Sequence, residues 1–522
     1  MRAASALRSF SNSRNPLVSI GIFVLVVYAG YKTSQYILAN DLTTLEFIGI
    51  AFIGGAVVVA ILNDWRRGLY ALVAWILFED FVRKFLGNNM GIYFGKDILV
   101  LVLYLSFFRA RRNKPVDKFR APFRIALLAY IWFNVIQMFN PSSTSIIYGL
   151  LGMKVYFLYV PLMYVGYALL DSEEDLRRFF SFLCVLILIV SGLGLAQAII
   201  GPSFLNPAHV QEDIRELSLG YRSSPISGLV AYRPTSVFVS NGRFGDFLII
   251  SWVIMLGLGG YLLLRSKRGR TLTFGTIAMI AGASLMSASR GVFMWNSGTA
   301  LVMIAGFLWG APWRQREALR VLRAVQRVAL VVGCGFVVLL TLFPDELGSR
   351  LAIYSETLLP DSPTSELVRR AHDYPLQQII YAFSYPQWPY GYGLGVCTHG
   401  IQYVVRIFHV APMNMGVESG FGSILLELGI VGLILWGVLG LAITISTWKV
   451  VNELRGTPWF PICFSIFVFV GLLFFPMTYT GFAYEDFIIN AYIWILIGML
   501  YRLRLFPRAV QMAQKQAELR QG

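Results

Sequence analysis

The segment FFSFLCVLILIVSGLGLAQAII, residues 179–200, decides the fold, because it contains no charged residue over a length that suits a lipid bilayer. A membrane-spanning helix needs roughly 20 mostly apolar residues to cross the hydrocarbon core. Inside that core a single segment can satisfy its own backbone hydrogen bonds only as a helix. The sequence therefore predicts a transmembrane helix at 179–200.

Comparable apolar segments recur along the chain, which has 57% hydrophobic, 15% aromatic and only 14% charged residues. Soluble proteins carry about 25% charged residues, and disordered chains are rich in charge and poor in aromatic residues. Both classes are therefore excluded. The segments predict an all-α polytopic membrane protein with about 12–14 transmembrane helices. The predicted spans are 17–38, 45–62, 69–86, 92–108, 123–139, 147–169, 179–200, 244–264, 271–288, 292–310, 328–343, 421–447, 459–475 and 487–503.

The net charge of +16 is distributed unevenly between the two sides of the predicted membrane. If the N-terminus is cytoplasmic, the segments on that side contain 29 Lys and Arg against 9 Asp and Glu, and the rest contains 15 against 19. This asymmetry follows the positive-inside rule, so both termini are predicted to be cytoplasmic and no nucleic-acid partner is needed to explain the charge. The cytoplasmic segments are 1–16, 63–68, 109–122, 170–178, 265–270, 311–327, 448–458 and 502–522.

Two long polar segments fall on the opposite side of the membrane, near 201–243 and at 344–420. The second is rich in proline and tyrosine, so it is neither one long helix nor a disordered loop. We predict a folded helical cap at 344–420, between N-terminal membrane helices in 1–343 and C-terminal membrane helices with a basic tail in 421–522. The aromatic residues of the cap suit either stacking on sugar rings or an interfacial aromatic belt.

The predicted span at 69–86 is unusual because four charged residues lie near its end: Glu79, Asp80, Arg83 and Lys84. On a helix, residues four positions apart are neighbours, and ion pairing lowers the cost of burying charge. We therefore expect Glu79 to pair with Arg83, and Asp80 to pair with Lys84.

Arginines on the non-cytoplasmic side are candidate binding residues, because the positive-inside rule disfavours them there. A guanidinium group is planar and can bind phosphate or carboxylate through two parallel hydrogen bonds. Such a group of arginines suits a lipid-linked diphosphate; the alternative is that they pair with nearby carboxylates. The candidates are Arg233, Arg243, Arg290, Arg369 and Arg370.

Four other residues are candidates for proton transfer or charge stabilisation. Glu418 precedes the span at 421–447 and could act as a general base toward a sugar hydroxyl, or simply be an acidic residue favoured at a helix N-terminus. Lys154 lies inside a span and needs a partner or a water-filled cavity. His399 and His409 in the cap are secondary candidates. The Cys and His residues lack the spacing of a zinc site, so neither a metal nor a cofactor is expected.

The order of five short motifs resembles the superfamily of O-antigen polymerases and O-antigen ligases. The motifs are GMKVYFLYVPLMYV (152–165), RPTSVFVSNGRFGDFL (233–248), SASRG (287–291), RR…YP…YGYGLG (369–395) and ESGFGSILLELGIVG (418–432). The resemblance implies a multi-pass protein of the bacterial inner membrane with one large periplasmic loop. It also implies a glycosyltransferase that uses undecaprenyl-diphosphate-linked glycans and no nucleotide sugar. Arginines hold the diphosphate in that family, and the matching positions are Arg233, Arg290 and either Arg369 or Arg370.

One departure distinguishes the two branches of this superfamily. Ligases carry a histidine just before the helix that follows the loop, and here Glu418 and Ser419 occupy that position. The sequence therefore favours a polymerase of O-antigen or exopolysaccharide, with Glu418 and Arg290 as catalytic residues. A ligase that transfers a lipid-linked glycan to lipid A-core, and a transporter of lipid-linked oligosaccharides, are the alternatives.

The resemblance also sets the expected partners and location. The donor is an undecaprenyl-diphosphate-linked glycan, the acceptor is a glycan, and the surroundings are the lipid bilayer of the inner membrane. A chain-length regulator and a flippase are further candidate partners.

Overall fold

The computed structural model describes most of the chain between residues 42 and 507. The predicted span at 17–38 and the basic tail beyond residue 507 lie outside the described residues, and the span at 328–343 lies only partly inside them. Contacts divide the chain into two units, Met1–Ala71 and Leu72–Gly522. The described ranges are 42–86, 90–111, 119–207, 215–216, 219–312, 323, 326–327, 330, 333–338, 340–359, 362, 364–413 and 415–507.

In the first unit, the described residues form helix α1 (Leu42–Asn63) and the beginning of helix α2 (Trp65–Phe85). Asp64 separates the two helices, and its carboxylate accepts a hydrogen bond from the backbone N–H of Arg66 at 3.0 Å. Such a bond satisfies one of the free N–H groups at a helix start. Asp64 therefore marks where α1 ends and α2 begins.

The described residues of the second unit form helices, connecting turns and one antiparallel hairpin, in which β1 (Tyr221–Ser223) pairs with β2 (Val230–Tyr232). The helices of this unit after α2 are α3 (Met90–Arg111), α4 (Arg124–Gln137), α5 (Ile146–Phe157), α6 (Leu162–Leu169), α7 (Glu173–Ile200), α8 (Asn241–Arg265), α9 (Arg270–Met286), α10 (Arg290–Gly310), α11 (Pro344–Leu358), α12 (Tyr374–Ala382), α13 (Ile401–Phe408), α14 (Gly420–Glu453), α15 (Phe460–Leu472) and α16 (Phe487–Leu503).

Seven helices among the described residues are long and apolar enough to cross a membrane. They confirm the prediction of a helical membrane protein. The candidate spans are Gly91–Arg111, Ile146–Leu169, Glu173–Ile200, Asn241–Arg265, Arg290–Gly310, Gly420–Glu453 and Phe460–Thr480. Arg124–Gln137, Arg270–Met286 and Phe487–Leu503 are shorter apolar helices at other predicted spans.

Three ion pairs join four of the segments that the charge distribution assigned to one side. Arg265 contacts Glu173 at 3.0 Å, Arg502 contacts Asp171 at 3.6 Å, and Arg504 contacts Glu453 at 2.5 Å. These pairs bring the beginning of α7 close to the end of α8, and the end of α14 close to the end of α16. The charged termini of these helices are therefore grouped at one end of the bundle.

Helix α14 is broken at Gly429, which has φ +70° and ψ −173°, and the loop 389–395 fills the break. The N–H groups of Tyr392 and Gly393 donate to the carbonyls of Leu426 and Glu427 at 2.7 and 3.0 Å, and the N–H of Ile430 donates to the carbonyl of Pro389 at 3.3 Å. Backbone groups freed by a break in a membrane helix must find partners within the protein. The loop supplies those partners.

Glycines allow this close packing between the loop and the helices. Gly391, Gly393 and Gly395 all have positive φ, a conformation that other residues adopt only at a cost. A Cβ atom on Gly395 would collide with the backbone carbonyl of Tyr148. The motif GYGLG is therefore a structural element that requires its glycines.

We predict that Gly395→Ala lowers the free energy of unfolding by roughly 2–4 kcal/mol, because it combines backbone strain with a backbone clash. The measurement is thermal unfolding of the detergent-solubilised protein. Gly437→Ala, in α14, is the matched control because a Cβ atom there meets no neighbour within 4 Å. Equal melting temperatures for the two variants would contradict this role of Gly395.

Candidate functional site

A cavity of about 700 Å³ lies where the beginnings of α8, α10 and α16 meet the loop around His399. Both apolar and charged side chains line it. The charged residues in its lining are Arg83, Lys96, Lys154, Arg243, Asp246, His399, Glu418, Glu485 and Asp486. The fold therefore brings four predicted site residues to one cavity: Lys154, Arg243, His399 and Glu418.

Asp80 lies behind the basic wall of this cavity, which is formed by Arg83, Lys96, Lys154 and Arg243. Its buried carboxylate accepts hydrogen bonds from Arg83 at 3.0 Å, from Arg243 at 2.7 Å and from the backbone N–H of Val239 at 3.3 Å. Arg243 also lies 3.6 Å from the carboxylate of Asp486. Arg243, predicted to bind diphosphate, is thus already engaged by two carboxylates.

The expected pairing of charges along α2 is wrong. Glu79 pairs with Lys96 of α3 at 2.8 Å, whereas Lys84 donates to the hydroxyl of Thr235 at 2.9 Å and to the carbonyl of Ser236 at 3.0 Å. These side chains are buried, so partners from neighbouring elements replace the four-residue neighbours on the same helix. The contacts of Glu79 and Lys84 thereby join α2 to other elements, whereas Arg83 pairs with Asp80 within α2.

Lys154 has both of the features that a charged residue in a span requires. Its ammonium group lies 2.6 Å from the carboxylate of Asp97 in α3, and it lines the cavity. The ring centroids of Tyr93 and Phe94 lie 4.5 and 4.7 Å from the ammonium nitrogen, at distances that suit cation–π interactions. Lys154 therefore belongs to the wall of the cavity.

His399 and Glu485 form a pair on the cavity wall. The Nδ1 atom of His399 lies 2.5 Å from a carboxylate oxygen of Glu485, and the backbone N–H of His399 donates to the same oxygen at 2.6 Å. Glu485 is buried, but the imidazole ring is exposed. The charge of Glu485 and its hydrogen bond raise the pKa of His399. The pair is therefore a candidate acid–base group.

Glu418 is exposed at the border between the cavity and a second, more open groove of about 530 Å³. The groove is also lined by Tyr374, Gln378 and Tyr381 from α12. The backbone N–H of Glu418 donates to the side chain of Gln378 at 3.2 Å. Glu418 therefore faces two open spaces, and it also precedes the first turn of α14.

A separate cluster of four arginines lies where the hairpin and the turn between α9 and α10 meet residues 366–370. Arg350 of α11 is buried and donates to the carbonyls of Met286, Ala198 and Tyr232 at 2.7, 3.1 and 3.1 Å. Burial lowers the pKa of Arg350. These bonds hold β2 close to the ends of α7 and α9. The four arginines of the cluster are Arg222, Arg233, Arg290 and Arg370.

Within the part of the chain that the structure describes, the arginine cluster has one carboxylate partner, Glu366, for its four positive charges. Glu366 lies 2.7 Å from Arg290 and 3.3 Å from Arg370. Burial and then repulsion, mainly from Arg233 and Arg290, lower the pKa of Arg222 to about 10. Burial and repulsion from Arg290 also lower the pKa of Arg233. An anion bound here would relieve this repulsion.

The side chain of Arg233 also indicates that the cluster could bind an anion. Its Nε atom is buried and has no hydrogen-bond partner among the described residues. A buried donor without a partner costs about 1–3 kcal/mol. Arg290 is the first residue of α10, where the free N–H groups and the helix dipole also favour an anion.

The predicted site residues fall into two groups and two outliers. Arg233, Arg290 and Arg370 belong to the arginine cluster, while Arg243, Lys154, His399 and Glu418 line the cavity. Ser289 and Gly291 line the cavity, so Arg290 lies between two lining residues, although it is not itself part of the lining. Arg369 is exposed and close to Tyr374, and His409 is exposed at the end of α13, outside the cavity lining.

Two residues of the site were missed or undervalued in the sequence. Arg222 is an arginine in the 201–243 segment, so the rule that selected Arg233 could have selected it as well. Glu485 was only a weaker candidate, at the outer end of the last predicted span, and its contact with His399 spans 86 positions and follows no local spacing.

A comparison with known protein families finds no matching family model, and a comparison with curated proteins finds no match.

We predict that Asp80→Asn lowers the free energy of unfolding by about 3–5 kcal/mol, because it leaves buried cations without their carboxylate. Thermal unfolding in detergent measures the effect. The matched control is Glu174→Gln, which removes a carboxylate from an exposed pair with Arg178 and should change stability by less than about 1 kcal/mol. A melting temperature unchanged by Asp80→Asn would contradict the role assigned to Asp80.

Proposed function

We propose that this protein is a membrane glycosyltransferase that polymerises undecaprenyl-diphosphate-linked repeat units into O-antigen or exopolysaccharide. The motif resemblance supplies the class of reaction. The observation that carries the proposal is the cluster of Arg222, Arg233, Arg290 and Arg370 beside the polar cavity, because Glu366 is its one carboxylate partner among the described residues and pairs only with Arg290 and Arg370. A diphosphate is a ligand that such a cluster would attract.

The reaction needs negative charge to be stabilised on the leaving group. When the bond between the donor sugar and the diphosphate breaks, the electron pair stays with the lipid diphosphate. Guanidinium groups already in position lower the energy of that developing charge without reorganisation during the reaction. In this proposal Arg290 acts at the bond that breaks, since its neighbours Ser289 and Gly291 line the cavity.

The acceptor glycan would enter through the groove beside Glu418. Tyrosine rings provide faces on which sugar rings stack, and Tyr374 and Tyr381 lie in this groove. Glu418 borders both groove and cavity, so its carboxylate could orient an acceptor hydroxyl toward the donor. The acceptor and the donor would then meet at the cavity.

The proposed location is the bacterial inner membrane, with the cavity on the periplasmic side and both termini in the cytoplasm. The supporting observation is the grouping of helix ends. The ends of α8 and α16 that carry Arg265 and Arg502 belong to the basic segments, and the opposite ends of both helices line the cavity. The excess of basic residues marks the cytoplasmic side. The full count of about 12–14 spans and a cap at 344–420 are part of this proposal.

We predict that Arg290→Ala abolishes polymer while single lipid-linked repeat units accumulate, because the leaving diphosphate loses its main cation. Electrophoresis of the extracted glycans measures the chain length. Glu366→Gln is the control: it breaks the same ion pair but keeps the arginine, so polymer should persist. Polymer of normal length in Arg290→Ala would overturn the assignment.

Two other outcomes would favour the alternative functions. A ligase mutant would accumulate long polymer on undecaprenyl diphosphate instead of single repeats. A transporter reconstituted in liposomes would move the lipid-linked glycan across the bilayer without changing its covalent structure. Each pattern differs from the single-repeat pattern expected of a polymerase.

We predict that Tyr381→Ala raises the KM for the acceptor about tenfold and leaves kcat nearly unchanged, because loss of one stacking surface weakens acceptor binding equally in the ground state and the transition state. Initial rates at varied acceptor concentration measure both constants. Tyr390→Ala is the matched control, since Tyr390 is 75% exposed and lies outside the groove lining. Equal KM values in the two variants would argue against acceptor binding in this groove.

A further inference from the structure

His399 is held in place by two buried carboxylates that come from different parts of the fold. Glu427 of α14 accepts from the backbone N–H of Cys397 at 2.8 Å and from the hydroxyl of Thr398 at 2.9 Å. Glu485, just before α16, accepts from the backbone N–H of His399 at 2.6 Å. Three consecutive residues are thus fixed, and the position of the imidazole ring is fixed with them.

The ring of His399 has one engaged nitrogen and one free nitrogen. Nδ1 lies 2.5 Å from Glu485, and Nε2 has no hydrogen-bond partner among the described residues. The side chain is 75% exposed and lines the cavity, whereas the side chain of Glu485 is 1% exposed. A buried carboxylate on one nitrogen holds the other nitrogen in the orientation and protonation state needed for proton transfer.

We propose that His399 is the catalytic base of this protein and that Glu485 is its positioning residue, an inference that rests on the proposed glycosyl transfer and deepens it. The acceptor hydroxyl gives its proton to Nε2 of His399. Its oxygen forms the new bond to C1 of the donor sugar as the bond from C1 to the diphosphate breaks. The lipid diphosphate leaves with the electron pair and its charge meets the arginine cluster. Glu418 then has only to orient the acceptor.

The charged groups facing His399 determine how the reaction depends on pH. Glu485 and Asp486 favour the imidazolium form, Arg243 opposes it, and Asp246 lies across the same cavity. The net effect raises the pKa of His399. The base must be neutral, so activity falls as the pH drops through this raised pKa. Removing the charge of Glu485 lowers the pKa and moves that fall to lower pH.

The test uses the purified full-length protein with lipid-linked repeat units extracted from cells that lack it. His399→Ala and His399→Asn should each lower kcat by about 100-fold or more, the usual contribution of a general base. The asparagine variant keeps a donor for Glu485 and so preserves the local fold. His409→Ala is the matched control, since His409 is exposed and outside the cavity lining, and it should retain wild-type kcat.

Glu485→Gln separates a positioning role from a purely structural one. It should shift the acidic limb of the profile of kcat against pH to lower pH. The rate of carbethoxylation of His399, measured by mass spectrometry, should shift with pH in the same direction, and this measurement does not depend on activity. Wild-type kcat in His399→Asn, or an unmoved profile in a folded Glu485→Gln variant, overturns the inference. If the wild type itself joins no repeat units, the proposed function fails instead, and the two failures are therefore distinct.

Discussion

The fold around the cavity depends on one constraint: the carboxylate of Asp80 is buried and must be neutralised. Taking a charge out of water costs several kcal/mol unless hydrogen bonds and opposite charges replace the solvent. Arg83, Arg243 and the backbone N–H of Val239 provide that replacement, and they come from three elements. Satisfying Asp80 therefore fixes α2, the segment before α8 and α8 itself relative to one another, and these elements form much of the basic wall.

The cavity and the neighbouring arginine cluster differ in how far their positive charges are neutralised by carboxylates. In the cavity most cations already have carboxylate partners, so this region is close to balanced and suits proton transfer. In the arginine cluster four cations have one carboxylate partner among the described residues, Glu366, and burial strengthens their mutual repulsion. The cluster therefore attracts an anion that the cavity would not. Arg290 of the cluster lies beside the cavity, between Ser289 and Gly291 of its lining.

The sequence predicts the spans and part of the site, but not the contacts between distant elements. Apolar length identifies membrane helices such as α7, because the bilayer imposes it, and the positive-inside rule isolates Arg233 and Arg290 as exceptions. The pairing of Glu79 with Lys96 was missed because local spacing describes only an isolated helix. The break at Gly429 was missed as well, since a glycine in an apolar segment is equally compatible with close helix packing. The pairing of His399 with Glu485 depends on the assembled fold alone.

The loop that fills the break in α14 also restricts where this protein can vary in length. Residues 389–399 are bonded to α14 through Tyr392, Gly393 and Thr398, so an insertion there would separate the helix fragments as well as the loop. Insertions are tolerated only where the backbone is not so engaged. Lengthening should therefore be confined to the stretches before Pro389 and after Gly400. Relatives of different length would differ in those stretches and keep the intervening loop at constant length.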